Sequence, residues 1–388
     1  MSEKDLPVPF AAPDIGDAEI DAVVEAMRSG WLTTGPRAAA FETEFAEFLG
    51  GDLHAVALNS ATAGLHLALE ALGIGPGDEV IVPTWTFTAT AEVVRYLGAD
   101  PVIVDVDDDL LIDLEATEAA ITPRTRAVMP VHLAGMPVER GALAALAERH
   151  GLAVVEDAAH SFPARSSGTM VGAGASEAVV FSFYATKTMT TGEGGMVVTA
   201  DPELARRIRT MRLHGISRDV FDRYSTPGAG WAYDVVAPGY KYNLTDPAAA
   251  MGRVQLRRAG AMRDARASIA ARYDEAFADL PVDLPPHAHR PDDVHAWHLY
   301  VLRLRPEAPI DRDTFITRLG EVGIGASVHF IPLHRHPYWA QTYGLSDADY
   351  PTAERHFPTV VSLPLSSGLS QAQVDKVVAT VRTLLGGR

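Results

Sequence analysis

Apolar residues between positions 55 and 200 form two kinds of run, and the two kinds alternate along the chain. Short, continuously apolar runs rich in β-branched residues are typical of strands buried on both faces. They predict strands at Asp78–Val82, Asp100–Val106, Arg126–Leu133, Ala153–Glu156, Ala178–Tyr184 and Gly195–Thr199. Between them, helical spacing predicts helices at Thr62–Leu72, Ala89–Leu97, Val138–His150 and Pro202–Leu213. This alternation predicts an α/β domain with a mostly parallel sheet.

The pattern changes after residue 213. Residues 214–245 are rich in glycine, proline and aromatic residues and have no clear period, which is typical of a functional loop. Helical spacing resumes over Asp246–Ala278. Beyond it, the sequence predicts strands at Trp297–Leu304, Ala326–Ile331 and Thr359–Leu363 and helices at Asp311–Val322 and Gln371–Leu385. We therefore expect an N-terminal arm (residues 1–12), a large α/β domain (13–250) and a smaller C-terminal α+β domain (251–388).

Composition narrows the class of protein. The chain is 47% hydrophobic and 21% charged, as in ordinary globular proteins, and its formal net charge of −17 disfavours nucleic acid and anionic membranes as partners. Its apolar runs are too short to span a bilayer, and its start lacks the features of a signal peptide. The absence of cysteine excludes disulfides and thiolate metal sites. We expect a cytoplasmic protein.

Lysine is scarce, and one lysine stands in an unusual place. The chain has four lysines against 29 arginines, so arginine supplies nearly all of its positive charge. Lys187 lies between an apolar run and a glycine-rich turn, in FSFYATKTMTTGEGGM. Because a desolvated lysine can lose its proton and arginine cannot, this position indicates chemistry rather than surface charge.

Other polar features follow the ends of the predicted strands, where open α/β sheets bind ligands. Asp157 and His160 end one strand, and Ser182 and Tyr184 lie in the next. The segment NSATAG (59–64) opens a helix with small and hydroxyl residues that suit an anion, and PTWTFT (83–88) supplies aromatic rings. A lysine, a carboxylate, a phosphate cup and a ring-stacking partner are what pyridoxal 5′-phosphate (PLP) requires.

Several motifs together resemble those of the DegT/DnrJ/EryC1/StrS family of nucleotide-sugar aminotransferases, from about Pro13 to Leu385. They are EDAAHSFPA, FSFYATKTMTTGEGGMVVT, NSATAGLHLAL, GWLTTGP and PGYKYNLTDPAAAMG. VHAWHLYVLRL, GIGASVHFIPLH and GYKYNLTD most resemble the branch that aminates C4 of a 4-keto sugar, giving 4-amino-4-deoxyarabinose or 4-amino-4,6-dideoxyhexoses. The resemblance implies an aspartate aminotransferase-like fold (PLP fold type I), L-glutamate as amino donor, and pyridoxamine 5′-phosphate (PMP) as intermediate.

The resemblance also implies roles for individual residues. Lys187 would form the Schiff base with PLP and then carry the proton, and Asp157 would hold the pyridine nitrogen protonated. The expected cofactor contacts are His160 at the 3′-oxygen or ring face, Thr62, Ala63 and Ser182 at the phosphate, and Phe87 against the ring. Trp85, two residues earlier, is the other candidate for stacking. Asn243 would reach the phosphate of a neighbouring subunit's cofactor, which implies a homodimer with shared active sites.

Further positions match the family's substrate pocket: Thr33 in GWLTTGP, Tyr184 and His329. Arg223 and Lys241 lie in the 214–245 loop and are candidates for binding the nucleotide diphosphate, although surface solvation explains them equally well. Core packing is an open alternative for His160, Tyr184 and His329. We expect no metal site at His329, His334 and His336, because their spacing fits no zinc signature and no carboxylate stands near them in the sequence.

Three other functions are alternatives for this sequence. The first is a 3-keto-sugar aminotransferase of the same family. The second is a sugar dehydratase that uses the cofactor without net amination; such relatives typically carry histidine where this chain has Lys187. The third is a non-catalytic, PLP-binding regulator, which would need a DNA-binding module that the acidic sequence does not suggest.

Overall fold

A computed structural model describes residues 7–174, 176–217 and 233–386. Its centre is a seven-stranded sheet with the strand order β1-β9-β8-β5-β4-β2-β3. Only the two pairings of β9 are antiparallel, so the predicted, mostly parallel sheet is confirmed. These strands are β1 His54–Leu58, β2 Glu79–Pro83, β3 Asp100–Val104, β4 Thr125–Val128, β5 Ala153–Asp157, β8 Ala178–Ser182 and β9 Gly195–Thr199, and a hairpin of β6 Arg165–Ser166 and β7 Thr169–Met170 lies apart from them.

Helices cover both faces of this sheet, so its strands are buried as their continuous apolar runs predict. Val80, Ile81 and Val82 of β2, for example, are fully buried. The helices are α1 Asp17–Arg28, α2 Pro36–Leu49, α3 Ala61–Ala71, α4 Ala89–Tyr96, α5 Leu114–Ala119, α6 Arg140–His150 and α7 Pro202–Met211. The sequence pattern did not single out β1, α2 or α5.

A 32-residue helix, α8 (Asp246–Phe277), joins this part of the molecule to the C-terminal part. Its first half packs in the core beneath the large sheet through Leu256 and Ala259. Its second half supplies Tyr273 and Phe277 to a separate C-terminal core. The domain boundary expected at residue 250 therefore falls inside one continuous helix, and it stays a prediction.

The C-terminal part combines a small antiparallel sheet with four helices. Its strands are β10 Val282–Asp283, β11 Tyr300–Leu304 and β12 Val360–Leu363, and its helices are α9 Arg312–Glu321, α10 Pro337–Tyr343, α11 Pro351–His356 and α12 Gln371–Leu385. Across the described ranges of the chain, every helix is too short or too polar to cross a membrane.

The strand predicted at Ala326–Ile331 is wrong. Only Ser327 pairs with the small sheet, through an isolated bridge to Ser362. The carbonyl of His329 instead accepts a hydrogen bond from Trp85 Nε1 at 3.0 Å. A side chain from the loop after β2 therefore takes the place of a strand partner. As a result this segment turns toward a cavity between the two parts of the molecule, where His329 and Phe330 form one wall.

Candidate active site

The carboxyl ends of β5 and β8 and the N-terminus of α3 meet at a cavity of about 440 Å³. This is the edge at which open α/β sheets bind their ligands. Several residues that the sequence singled out line this cavity: Thr62, Phe87, Asp157, His160, Ser182, Tyr184, Lys187 and His329. Residues far apart in the chain are thereby gathered around one volume large enough for a small cofactor.

Lys187 lies in the turn that follows β8. Its backbone N–H donates to the carbonyl of Tyr184 at 2.9 Å, which directs the side chain into the cavity that it lines. Burial lowers the pKa of Lys187 to about 8, and the negative charge of Asp157 opposes this shift. At pH 7 about a tenth of the amine is then neutral, compared with less than about a thousandth for a free lysine.

This pKa predicts how the protein without cofactor reacts with PLP. Only the neutral amine attacks a carbonyl, so the rate of capture should rise about tenfold per pH unit below pH 8 and level off above it. Stopped-flow absorbance between pH 6 and 10 gives the pH profile of the capture rate. A parallel series in which PLP reacts with free butylamine corrects for the ionisation of PLP itself. A midpoint near that of free lysine would contradict the effect of burial.

Asp157 is the last residue of β5 and is only 6% exposed. Its Oδ1 accepts from the N–H of Ala159 at 3.1 Å, and its Oδ2 accepts from Thr90 Oγ1 at 2.9 Å. Burial raises the pKa of Asp157, while these hydrogen bonds and the charge of Lys187 oppose the increase. A buried carboxylate that borders a cavity is stabilised by a cationic ligand group, and a protonated pyridine nitrogen is such a group.

The turn before α3 is suited to a phosphate. Ser60, Ala61 and Thr62 line the cavity, and the first N–H groups of a helix have no partner within that helix. Ser182, from β8, lines the same cavity. Ala63 lies outside the lining, and its N–H donates to Ser60 Oγ at 3.1 Å. The structure thus presents Ser60 and Ala61, rather than Ala63, on the cavity side of the turn.

Gly195 fixes the position of this turn. A Cβ at Gly195 would come within 2.6 Å of the backbone of Ser60 and Ala61, and backbone atoms cannot rotate away as a side chain can. We expect Gly195→Ala to lower the free energy of unfolding by about 2 kcal/mol and to weaken PLP binding, because the turn must move. Urea unfolding and absorbance titration with PLP measure the two effects.

Gly260 provides the matched control. It lies on the exposed side of α8, and a Cβ there would meet no atom within 4 Å. Gly260→Ala should therefore raise stability by about 0.5–1 kcal/mol and leave PLP binding unchanged. Equal effects of the two substitutions would contradict the steric argument.

The two aromatic candidates for stacking on the cofactor ring, Phe87 and Trp85, differ in exposure and in their position relative to the cavity. Phe87 is 57% exposed and borders the cavity, with its ring centroid 5.8 Å from that of Phe330. Trp85 is fully buried and does not border the cavity, and its indole N–H donates a hydrogen bond to the carbonyl of His329. The side chain of Phe87 is therefore the one of the two that is placed to meet a ligand ring.

Three uncharged imidazoles stand around the cavity: His160, His298 and His329. Burial and nearby positive charge lower the pKa of all three, that of His329 to about 4. His160 Nδ1 accepts from the N–H of Ala134 at 3.3 Å, so the neutral ring carries its proton on Nε2. His298 lies 4.3 Å from His160 between ring centroids, and its buried Nδ1 has no hydrogen-bond partner among the described residues.

The remaining predicted site residues that the structure describes do not border this cavity. Asn243 is buried, its Nδ2 donating to Thr34 Oγ1 at 2.7 Å and its Oδ1 accepting from Lys241 Nζ at 2.6 Å. The side chain of Lys241 is otherwise exposed, and Thr33 is exposed as well. The prediction for Arg223 lies outside the described residues.

Of the three histidines considered for metal binding, His334 has carboxylates close to it that its neighbours in the sequence did not indicate. His334 Nε2 lies 2.8 Å from Glu354 Oε1, and Asp347 is near enough to complete a three-residue group. However, Glu354 also pairs with Arg335, and His334 Nδ1 bonds Thr84 Oγ1 at 2.7 Å. The group is therefore held together by ion pairs and hydrogen bonds within the protein.

Sequence reasoning placed Ser60 and Ala61 in the predicted anion-binding segment and Thr86 in the aromatic segment but gave them no individual roles, and it assigned no role to Thr90, His298 or Phe330. Thr86 and Thr90 flank Phe87 in TWTFTAT, so two hydroxyls four residues apart, on one side of a helix start, were the available signal. His298 stands in an apolar run, where an imidazole among strand residues was the only indication.

The cavity combines the groups that PLP needs, on an α/β sheet of the corresponding topology, and this defines a PLP-dependent enzyme of fold type I. The comparison with protein families is unambiguous: the DegT/DnrJ/EryC1/StrS aminotransferase family matches residues 13–382. The chain belongs to this family.

Individual relatives agree with this assignment. The spore coat polysaccharide biosynthesis protein SpsC of Bacillus subtilis is 47% identical over 383 residues, covering 98% of this chain and 97% of that protein. Spr1654 of Streptococcus pneumoniae, assigned as a sugar aminotransferase, has a PLP-form structure with a TM-score of 0.90 and 34% identity, covering 98% of each chain, and also a PMP-form. DesI, solved in the presence of its TDP-sugar product, has a TM-score of 0.84 and 32% identity, covering 98% of this chain and 93% of its own.

The protein is therefore a PLP-dependent sugar aminotransferase, and the predicted fold class and cofactor are confirmed. The residues present fit the cofactor. Asp157 is a buried carboxylate at the cavity, Lys187 is partly neutral, and the start of α3 offers N–H groups to a phosphate.

Proposed function

We propose that the protein transfers the amino group of L-glutamate to C4 of a nucleotide-linked 4-keto-6-deoxyhexose or 4-keto-pentose, with dTDP or UDP as the nucleotide. The observation that carries this proposal is the cavity itself, which Lys187 lines together with Tyr184 and His329. The likeness to DesI, whose structure was solved with a TDP-sugar product, supports a nucleotide-linked sugar.

Lys187 moves the proton in both halves of the reaction. PLP, when bound, supplies an electron sink for the charge that develops at the donor's α-carbon. The pKa of about 8 lets the amine of Lys187 take the proton from that carbon and return it near neutral pH. Asp157 would hold the pyridine nitrogen, and the turn at Ser60–Thr62 together with Ser182 would hold the phosphate, since all of these residues border the cavity.

The sugar is held by neutral groups. His329 Nδ1 lies 3.1 Å from Ser362 Oγ, which fixes the orientation of its ring at the cavity wall. Because burial keeps the pKa of His329 at about 4, it offers hydrogen bonds to sugar hydroxyls without adding a second cation beside Lys187. Tyr184 is 47% exposed at the mouth of the cavity and is placed to contact the sugar.

The position of amination is tested by direct assay. The purified enzyme is incubated with L-glutamate and, separately, with dTDP- and UDP-linked 4-keto and 3-keto sugars, and 2-oxoglutarate and the amino sugar are measured. We expect turnover with a 4-keto sugar. Turnover with the 3-keto sugar alone would replace the proposed position by C3, and the absence of turnover with all of these sugars would refute the proposed substrates.

The proposal includes a homodimer with shared active sites. Asn243 lies beside the end of β1, where Leu58 bridges to it, on a segment that also holds Lys241. Val235 and Val236, earlier in the same segment, are 64% and 59% exposed, which favours burial against a second copy. In such a dimer Asn243 reaches the phosphate site of the neighbouring subunit.

Hybrid dimers test the sharing of sites. Lys187→Ala and Asn243→Ala subunits, each inactive or weak alone, are unfolded, mixed and refolded. If each site uses Lys187 of one subunit and Asn243 of the other, half of the dimers contain one intact site, and activity returns to about a quarter of wild type. No recovery from mixed dimers that light scattering confirms would place both residues in one subunit's site.

A further inference from the structure

Two buried threonine hydroxyls are linked to the carboxylate of Asp157, and of these two threonines Thr86 also borders the cavity while Thr90 does not. Thr90 is fully buried in the first turn of α4, and Thr86 is 1% exposed in the loop that follows β2. Thr90 Oγ1 lies 2.9 Å from Asp157 Oδ2 and 2.7 Å from Thr86 Oγ1. The three side chains therefore form a continuous chain of hydrogen bonds that ends at the cavity.

The chemistry of hydroxyl groups gives this chain a direction. An ionised carboxylate can only accept, so the single proton of Thr90 Oγ1 points at Asp157. Thr90 then has only its lone pairs to offer Thr86, so Thr86 must donate to Thr90. Asp157 Oδ1 is held independently by the N–H of Ala159. Each carboxylate oxygen has one fixed donor, and the plane of the carboxylate is set from two sides.

The hydroxyl of Thr90 is hard to explain by packing alone. A buried hydroxyl is costly unless it is hydrogen-bonded, and valine would fill the same volume without that cost. The same short segment also presents Phe87 to the cavity between the two threonines. One loop and helix start thus position both the ring that faces the ligand and the donor that holds the carboxylate.

We propose that Thr90 is a positioning residue for Asp157: its hydroxyl, aligned by Thr86, holds the carboxylate in the orientation in which it binds the protonated pyridine nitrogen of the cofactor. Thr90 itself touches neither cofactor nor substrate in this role. The role belongs to PLP binding and to the reaction with the amino donor, so it does not depend on which keto sugar is the acceptor.

Thr90→Val removes the hydroxyl and keeps the shape, and Thr90→Ser restores the hydroxyl. We expect Thr90→Val to lower kcat of the reaction with L-glutamate roughly 10- to 100-fold with little change in KM, because a hydrogen bond to a charged group is lost. Thr90→Ser should stay within about threefold of wild type. Thr117→Val is the matched control, since Thr117, on α5, is equally buried but its hydroxyl donates to the carbonyl of Asp113, the residue before α5.

A second readout separates positioning from stability. When Asp157 holds the pyridine proton less firmly, a positive charge near Lys187 is lost, and the pH midpoint of the bound cofactor's visible absorbance should rise in Thr90→Val. Thr90→Ser and Thr117→Val should keep the wild-type midpoint. This titration needs neither the sugar nor turnover, so it tests the inference even if the proposed substrate is wrong.

A folded Thr90→Val protein with the wild-type midpoint and kcat would overturn the inference. If Thr90→Val does not fold, Thr86→Val decides the matter. It leaves the bond between Thr90 and Asp157 possible but unaligned, and it should shift the midpoint in the same direction with a roughly 3- to 10-fold loss of kcat. An unchanged midpoint in folded Thr86→Val would then overturn the inference.

Discussion

Replacing Lys187 by alanine should lower kcat about 10⁴-fold, because the variant loses the amine that moves the proton. The enzyme should still bind PLP through the turn before α3, but borohydride should no longer fix the cofactor to the peptide 181–196. Mass spectrometry of that peptide and steady-state kinetics give the two measurements. A variant that aminates a keto sugar at the wild-type rate would refute the assignment of Lys187.

Two further variants make the interpretation specific. Lys187→Arg keeps the positive charge and most of the bulk but cannot release its proton, so it should be as inactive as the alanine variant. Lys376→Ala removes a lysine from α12, far from the cavity lining, and should leave kcat unchanged. Activity in Lys187→Arg would mean that charge, rather than proton transfer, is the contribution of the lysine.

Replacing Asp157 by asparagine should lower kcat about 10³-fold while Lys187 still captures PLP. Asparagine has nearly the same shape but no charge, so the pyridine nitrogen loses the partner that keeps it protonated. Asp105→Asn is the matched control: Asp105 is also a buried aspartate, but it accepts the N–H groups of Thr352 and Ala353 at the start of α11. That variant should lose stability and keep its kcat.

Asp157→Asn should not destabilise the protein without cofactor. Burial raises the pKa of Asp157 above that of an unfolded aspartate. As the pH rises from the unfolded pKa to the folded pKa, the cost of ionising this buried carboxyl increasingly lowers the free energy of unfolding. We therefore expect apo Asp157→Asn to melt no lower than wild type at pH 7. A lower melting temperature, measured by calorimetry, would show that the carboxylate is needed for the fold itself.

The fold was largely predictable because its strands are buried on both faces. Continuous apolar runs such as that of β2 carry this signal directly, and all six strands predicted before residue 200 were found within a few residues. The error at Ala326–Ile331 arose because an apolar run also suits the wall of a cavity, and the bond from Trp85 to the carbonyl of His329 could not be inferred from spacing.

The site was predictable where one local segment carries the chemistry. Lys187 and Asp157 stand at the ends of neighbouring strands, and the strand pattern places both at the same edge of the sheet. Thr90 and His298 were missed because their partners, Asp157 and His160, lie 67 and 138 positions away, and only the folded chain brings them together. The role of Asn243 depends on a second subunit, and it stays a prediction.

The long helix α8 constrains how the gene can change in length. Its two halves belong to different cores, so adding one residue near Gly260 would rotate everything after it by about 100° and turn Tyr273 and Phe277 away from their neighbours. Point substitutions on its exposed side avoid this penalty. We expect insertions and deletions among natural homologues to be rare across this helix and to accumulate in loops instead.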